Sequence, residues 1–142
     1  MARKYKKKFV VEMSAFPKPR PRVVRGRGRK GTRRTFMPPA YMKKRDEFKK
    51  MIGNFTIPKD KLYRLELYSF REIPKSWSKA KKAEYSGQWC EPTPDIDNMA
   101  GGIMDSLPWK SDDKAVVSLT AEKKWSDRPD GSPYCVVIIE EV

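Results

Sequence analysis

Five aspartates, Asp95, Asp97, Asp105, Asp112 and Asp113, crowd into 19 residues of a 142-residue chain whose formal net charge is +14. The stretch P-D-I-D-N (94–98) sets two of them two apart at the mouth of an apolar-periodic segment. Pro94 pushes Thr93 away from helical geometry, so Asp95 is expected in extended or turn backbone. Two positions apart in extended chain, Asp95 and Asp97 project to the same side. The segment after them stops at Pro108, and the chain can return so that Asp113 opens the next strand alongside the pair. Three converging carboxylates repel one another unless a divalent cation neutralises them. Mg2+ does this in phosphodiester hydrolysis, as one ion or as a two-metal clamp, and Mn2+ is its ordinary substitute. The same spacing has a plainer reading, which stays open. Aspartates before a helix cap it and meet the positive end of its dipole for about 0.3–1 kcal/mol, and S-D-D before a strand is common turn composition.

The chain has no histidine, which removes Ser-His-Asp and Cys-His nucleophile systems, His-ligated zinc and histidine bases. Acid–base or metal chemistry must then use Asp, Glu, Lys, Tyr or Cys, and oxygen donors suit Mg2+ or Mn2+ rather than zinc. Cys90 and Cys135 lack C-x-x-C spacing and are expected to be reduced thiols. No apolar run reaches the roughly 18 residues of a membrane span. The basic start, M-A-R-K-Y-K-K-K, is not followed by the apolar stretch of a secretory signal. These features lead us to expect a cytoplasmic protein.

The positive charge is unevenly placed. Residues 1–34 hold 14 of the 32 Lys and Arg and a single acid, Glu12, whereas the remainder is nearly balanced. Lys18, Arg20, Arg22, Arg25, Arg27, Arg29, Lys30, Arg33 and Arg34 form an arm without acidic compensation, which points to a polyanionic partner. Carboxylates facing phosphates need a bridging cation, so this arm favours the metal reading of the acidic knot. Its prolines and glycines deny the arm a recognition helix or a central strand. It reads as an extended, mobile loop at about 17–36 that grips phosphates rather than base edges.

The elements that must position these residues follow from periodicity. K-K-F-V-V-E-M-S-A-F reads as a first strand, with Phe9, Val11, Met13 and Ala15 on one face. Pro39 opens a helix through about Ile52, with Tyr41, Arg45, Phe48 and Ile52 on one stripe and Gly53-Asn54 as the stop. Residues 60–73 form a strand with Tyr63, Leu65 and Leu67 on one side. Ser76 is expected to cap a short basic helix ending at Gly87. Asp97 or Asn98 starts the next helix, in which Met99, Ile103, Met104 and Leu107 share a face; Gly101 and Gly102 weaken it by about 1 kcal/mol each. Residues 114–125 alternate, with Ala115, Val117, Leu119 and Ala121 on one side, and a turn at Asp130-Gly131 joins them to a closing strand as a hairpin. The order predicts a single α+β domain over residues 1–142, with a mixed, partly antiparallel sheet and two to three helices. Large aromatics dominate buried area in small domains, so the four tryptophans are expected in the core, with Trp109, beside the acids, the one to test for base stacking.

P-D-I-D-N-M-A-G-G-I-M-D-S-L followed by S-D-D-K-A-V-V-S-L-T-A-E-K-K-W resembles the RusA family of Holliday junction resolvases, found in phages and prophages. The P-K-P-R-P-R loop and the P-K-S-W-S-K-A-K-K-A-E-Y-S-G-Q stretch look similar too, so the resemblance covers about residues 8 to 142. It implies a RusA-like fold and Mg2+-dependent hydrolysis of four-way DNA junctions, in DNA recombination and repair inside a bacterial or phage-infected cell. Carried over, the family's catalytic, metal-binding acids fall on Asp95, Asp97 and Asp113, with Asp112 as a companion ligand. A two-fold homodimer follows from resemblance and from the job of cutting a four-way junction symmetrically. Three positions depart from the pattern. The family lysine four residues after the second aspartate is Gly101 here, the basic residue before P-D is Thr93, and only P-W-K-S links the helix to the D-D pair. Lys114, Lys110 and Lys123 are the nearby cations that could compensate. The alternative implied by Gly101 is a catalytically weak or inactive junction-binding protein.

Overall fold

The computed structural model describes residues 3–19, 22–25, 33–110 and 112–142. Its elements are β1 (Lys6–Val11), β2 (Arg22–Arg25), β3 (Arg33–Phe36), α1 (Pro39–Ile52), β4 (Tyr63–Arg71), α2 (Lys79–Tyr85), α3 (Ile96–Ser106), a 3₁₀ turn (Asp113–Ala115), β5 (Val116–Trp125) and β6 (Tyr134–Glu141). Strand β4 sits inside the main sheet because its alternation is complete: Tyr63, Leu65, Leu67 and Ser69 are buried on one face. The sheet runs β1-β6-β4-β5, with β6 antiparallel to both β1 and β4 and β5 parallel to β4. This is the mixed sheet of an α+β domain. Helices α1 and α3 add Tyr41, Phe48, Met99 and Ile103 to the core formed by that face of β4 with Val11, Cys135, Val137 and Ile139.

Helix α1 starts and ends where the sequence sets it, with Pro39 in the first turn and Gly53 at φ +78, a left-handed conformation that disfavours side chains. Both cysteines are buried free thiols, and among the described residues no helix is long and apolar enough to cross a membrane.

Five expectations are corrected. Strand β1 stops at Val11 rather than running on to Phe16; Ala15 and Phe16 are still buried, and the Ala15 N–H is satisfied by the Ser69 hydroxyl. Ser78, not Ser76, caps α2 by accepting from the Lys81 N–H, because Ser76 is taken up in a turn closed by Trp77 N–H and Pro74 C=O. Helix α3 begins at Ile96, so Asp95 is its N-cap and Asp97 lies in its first turn, earlier than Asp97 or Asn98. Strands β5 and β6 are not hairpin partners, since β4 lies between them; their eight-residue connection is long enough to step past one strand. Along β5, Val117 and Leu119 are exposed whereas Ala115, in the turn before it, is buried, so the four residues expected on one side do not share one environment; β5 is an edge strand and its register against β4 slips at Tyr63/Arg64.

The basic arm has strands of its own. Arg22–Arg25 pairs antiparallel with Arg33–Phe36 in a separate two-stranded ribbon, where a strandless loop was expected. A hairpin escapes the proline and glycine argument, which excludes only helices and central strands. In register, Arg25 faces Arg33 and Val24 faces Arg34, so four of the arm's arginines are on paired backbone. Arg20, Arg27, Arg29 and Lys30 lie outside the described residues.

Candidate active site

The loop that delivers Asp95 is fastened from below. Lys123, on β5, donates its ammonium to three carbonyls, those of Glu91 (3.0 Å), Pro92 (3.1 Å) and Pro94 (3.0 Å). Arg71, at the end of β4, donates a guanidinium N–H to the Thr93 carbonyl. The Cys90 N–H donates to the Lys123 carbonyl, so the same residue anchors the loop by backbone and by side chain. Two cations on neighbouring strands thus turn a run of proline carbonyls into a fixed platform ahead of α3. Lys123 is thereby a positioning residue for Asp95 rather than a cation available to substrate.

At the end of that platform Asp95 takes the extended backbone of an N-cap, and its carbonyl accepts from the Met99 N–H. Its carboxylate makes no capping hydrogen bond. Asp97 follows in the first helical turn, and both side chains are exposed. The plainer reading of Asp95, a side-chain cap, is therefore not what its carboxylate does. Both acids sit at the start of α3, the positive end of its dipole.

A second acidic group lies at the other end of α3. Asp105 accepts from the Tyr41 hydroxyl and from the Lys18 ammonium at 3.4 Å, and Arg45 approaches it to 3.6 Å. Burial pushes its pKa up, but the Tyr41 hydrogen bond and the charges of Lys18 and Arg45 outweigh this and hold it below the usual carboxylate range. Asp105 is thus a neutralised hub joining α1, α3 and the start of the arm.

Beside it, Asp112 and Asp113 act on each other's ionisation in opposite directions. The hydrogen bond between the two side chains lowers Asp112, helped by the Lys114 backbone N–H at 3.1 Å. The same bond raises Asp113, and burial and the charge of Asp112 push it further in that direction. Asp113 begins a 3₁₀ turn rather than the strand itself. Trp109 closes this side of the site; its indole N–H donates to the Met104 carbonyl at 2.8 Å and its ring packs on Tyr63. Trp109 is committed to packing, whereas Trp89, 65% exposed under the Lys124 ammonium, is the open tryptophan.

The acids therefore fall in two places, Asp95 and Asp97 at the start of α3 and Asp112 and Asp113 in the turn after it. Among the described residues no group of three or more His, Cys, Asp or Glu side chains is arranged to hold a metal ion. The same-side argument for Asp95 and Asp97 required extended chain at both, and the helix start at Ile96 removes it. In kind, however, the donors fit a hard cation: carboxylate oxygens, two of them uncommitted at a helix start. Lys114 stays with the D-D pair through its backbone, and the Lys110 N–H donates to the Ile57 carbonyl. Sequence reasoning missed Arg71 and Tyr41 as supports; Tyr41 was visible only as one position of an apolar stripe.

Comparison with curated proteins finds no match. The family model described as Endodeoxyribonuclease RusA matches residues 12–131, from the end of β1 through the β5–β6 connection and across every acid described above. The chain belongs to the RusA family of endodeoxyribonucleases.

Proposed function

We propose that the chain is a structure-selective endonuclease that resolves four-way DNA junctions by Mg2+-dependent phosphodiester hydrolysis, acting as a homodimer. The observation that carries the reading is the pair Asp95 and Asp97. They lie in the family's P-D-x-D-N motif, on a loop clamped by Lys123 and Arg71, with the Asp95 carboxylate free of any capping bond. Asp95, Asp97 and Asp113 would hold the cation, with Asp112 as their companion. A divalent ion held there supplies Lewis-acid neutralisation of the scissile phosphate. Thiolate ligation is disfavoured, because burial raises both cysteine thiols, Cys135 to about 12.

The rest of the work falls to the chain's cations. The arginines of the β2–β3 ribbon bind phosphates, and each contact on duplex should add about −0.9 to the slope of log K against log salt. Such contacts carry no base code, so the selectivity expected is for branched shape. Two-fold symmetry in the junction calls for two equivalent sites, hence two copies of the chain.

A synthetic immobile four-way junction tests the reading. Paired, symmetric nicks are expected in Mg2+ or Mn2+ and none in chelator, with binding retained in both. Tight junction binding with no nick in either ion would leave the alternative prompted by Gly101, a binding protein without chemistry.

A further inference from the structure

On α3, positions four apart are offset by about 40° around the axis and rise about 6 Å. Asp97, Gly101 and Asp105 therefore form one row, with an acid at each end and no side chain in the middle. Into that row comes the chain segment Phe16–Lys18. The Lys18 N–H donates to the Asn98 carbonyl at 2.9 Å, which pins the segment to α3. The contact is possible because position 102 is glycine: a Cβ there would lie 2.2 Å from the Phe16 carbonyl oxygen. At Gly101 a Cβ would meet Lys18 Cβ at 3.6 Å and Cδ at 3.9 Å. The Lys18 stem thus lies across Gly101, and its ammonium ends 3.4 Å from Asp105 Oδ1.

We infer that Lys18, entering from the arm across the bare surface of Gly101, is the cation of the active site and faces the phosphate at the acidic edge of α3. The inference rests on the nuclease reading above and adds a residue to it. Asp105 already receives Tyr41 and Arg45, so it does not consume the ammonium, which retains further N–H donors at the end of a side chain that is 40% exposed. Lys18 lines one open cleft together with Asp105, Asp112 and Asp113, the last of these among the acids expected to hold the cation. The other candidates are placed differently. Lys123 is occupied by three carbonyls, and among the described residues no hydrogen bond or ion pair brings the ammonium of Lys110 or Lys114 onto α3. Position 101 and Lys18 compete for one volume. A lysine at 101 would project into the path the Lys18 stem now takes, so either residue, but not both in their present courses, can supply charge there.

The test is single-turnover cleavage of a four-way junction in Mg2+ at saturating protein, with the dissociation constant measured separately in chelator. Lys18→Gln should slow cleavage by about 10²-fold, the cost of one lost electrostatic donor, while binding weakens only about threefold. Adding Gly101→Lys to Lys18→Ala, which clears the stem from position 101, should restore the rate to within about tenfold, because the charge re-enters from the helix. Lys18→Arg should stay closer to the unsubstituted rate than Lys18→Gln does. If Lys18→Gln cuts as fast as the unsubstituted chain at saturation, or if Gly101→Lys fails to restore the rate, Lys18 is only an arm contact and the inference is overturned. If the unsubstituted chain itself makes no nick, the nuclease reading falls and this inference falls with it.

Discussion

Asp97→Asn is expected to bind a four-way junction within a few-fold of the unsubstituted chain and to cut it at least about 10²–10³ times more slowly. The substitution is nearly isosteric and removes one negative charge and one strong oxygen ligand. Asp97 is exposed in the first turn of α3, and among the described residues its side chain enters no hydrogen bond or ion pair. Losing its charge at the helix start should cost folding only about 0.3–1 kcal/mol. The effect on rate is larger because a Lewis acid contributes several kcal/mol to the transition state, and every 1.36 kcal/mol is about tenfold. Gel-shift binding in chelator beside single-turnover cleavage in Mg2+ separates the two quantities. An unchanged cleavage rate would remove Asp97 from the mechanism.

Gly102→Ala is expected to destabilise the fold by about 1–3 kcal/mol or more, whereas Gly101→Ala should be neutral or stabilising by up to about 1 kcal/mol. Both are helix-interior glycines, so propensity alone predicts the same gain for each. Packing separates them. At 102 the new methyl would strike the Phe16 carbonyl oxygen at 2.2 Å, a backbone atom held by the buried Phe16 ring and by the Lys18 N–H bond to Asn98. At 101 the methyl would meet Lys18 carbons at 3.6 Å and 3.9 Å, ordinary contact with a flexible side chain. For a domain of this size each kcal/mol moves Tm by about 2–4 °C, so thermal unfolding followed by circular dichroism should order the variants Gly101→Ala, unsubstituted, Gly102→Ala from highest to lowest. A Gly102→Ala protein melting with the unsubstituted chain would mean that segment 16–18 does not lie on α3.

The sequence was most readable where one residue type does one job locally. Pro39 and Gly53 bound α1 because their backbone preferences act whatever surrounds them, and Tyr63, Leu65 and Leu67 announce a strand because burial is complete on one face. The P-D-I-D-N motif was readable for the same reason, as a short run of special residue types. Reading failed where the outcome depends on what the chain meets elsewhere. The β5 alternation is real, but an edge position and a slipped register leave Val117 and Leu119 exposed. Strands β5 and β6 look like a hairpin until β4, far earlier in sequence, takes the place between them. Lysines are the least readable. Lys123 and Lys18 are the same residue in one dimension, yet one is held by three carbonyls and the other lies over a glycine beside the Asp105 carboxylate. A long flexible stem leaves its target to tertiary structure.

On the proposed mechanism, the acids at the start of α3 and in the turn after it share a divalent ion when the protein holds its substrate. Mn2+ taken up by the protein–junction complex, counted by electron paramagnetic resonance, tests this directly. Saturable uptake of at least one ion per chain above that of the junction alone is expected, lost in a chain carrying Asp95→Asn, Asp97→Asn and Asp113→Asn. No uptake above the junction alone, or equal uptake by the substituted chain, would contradict it.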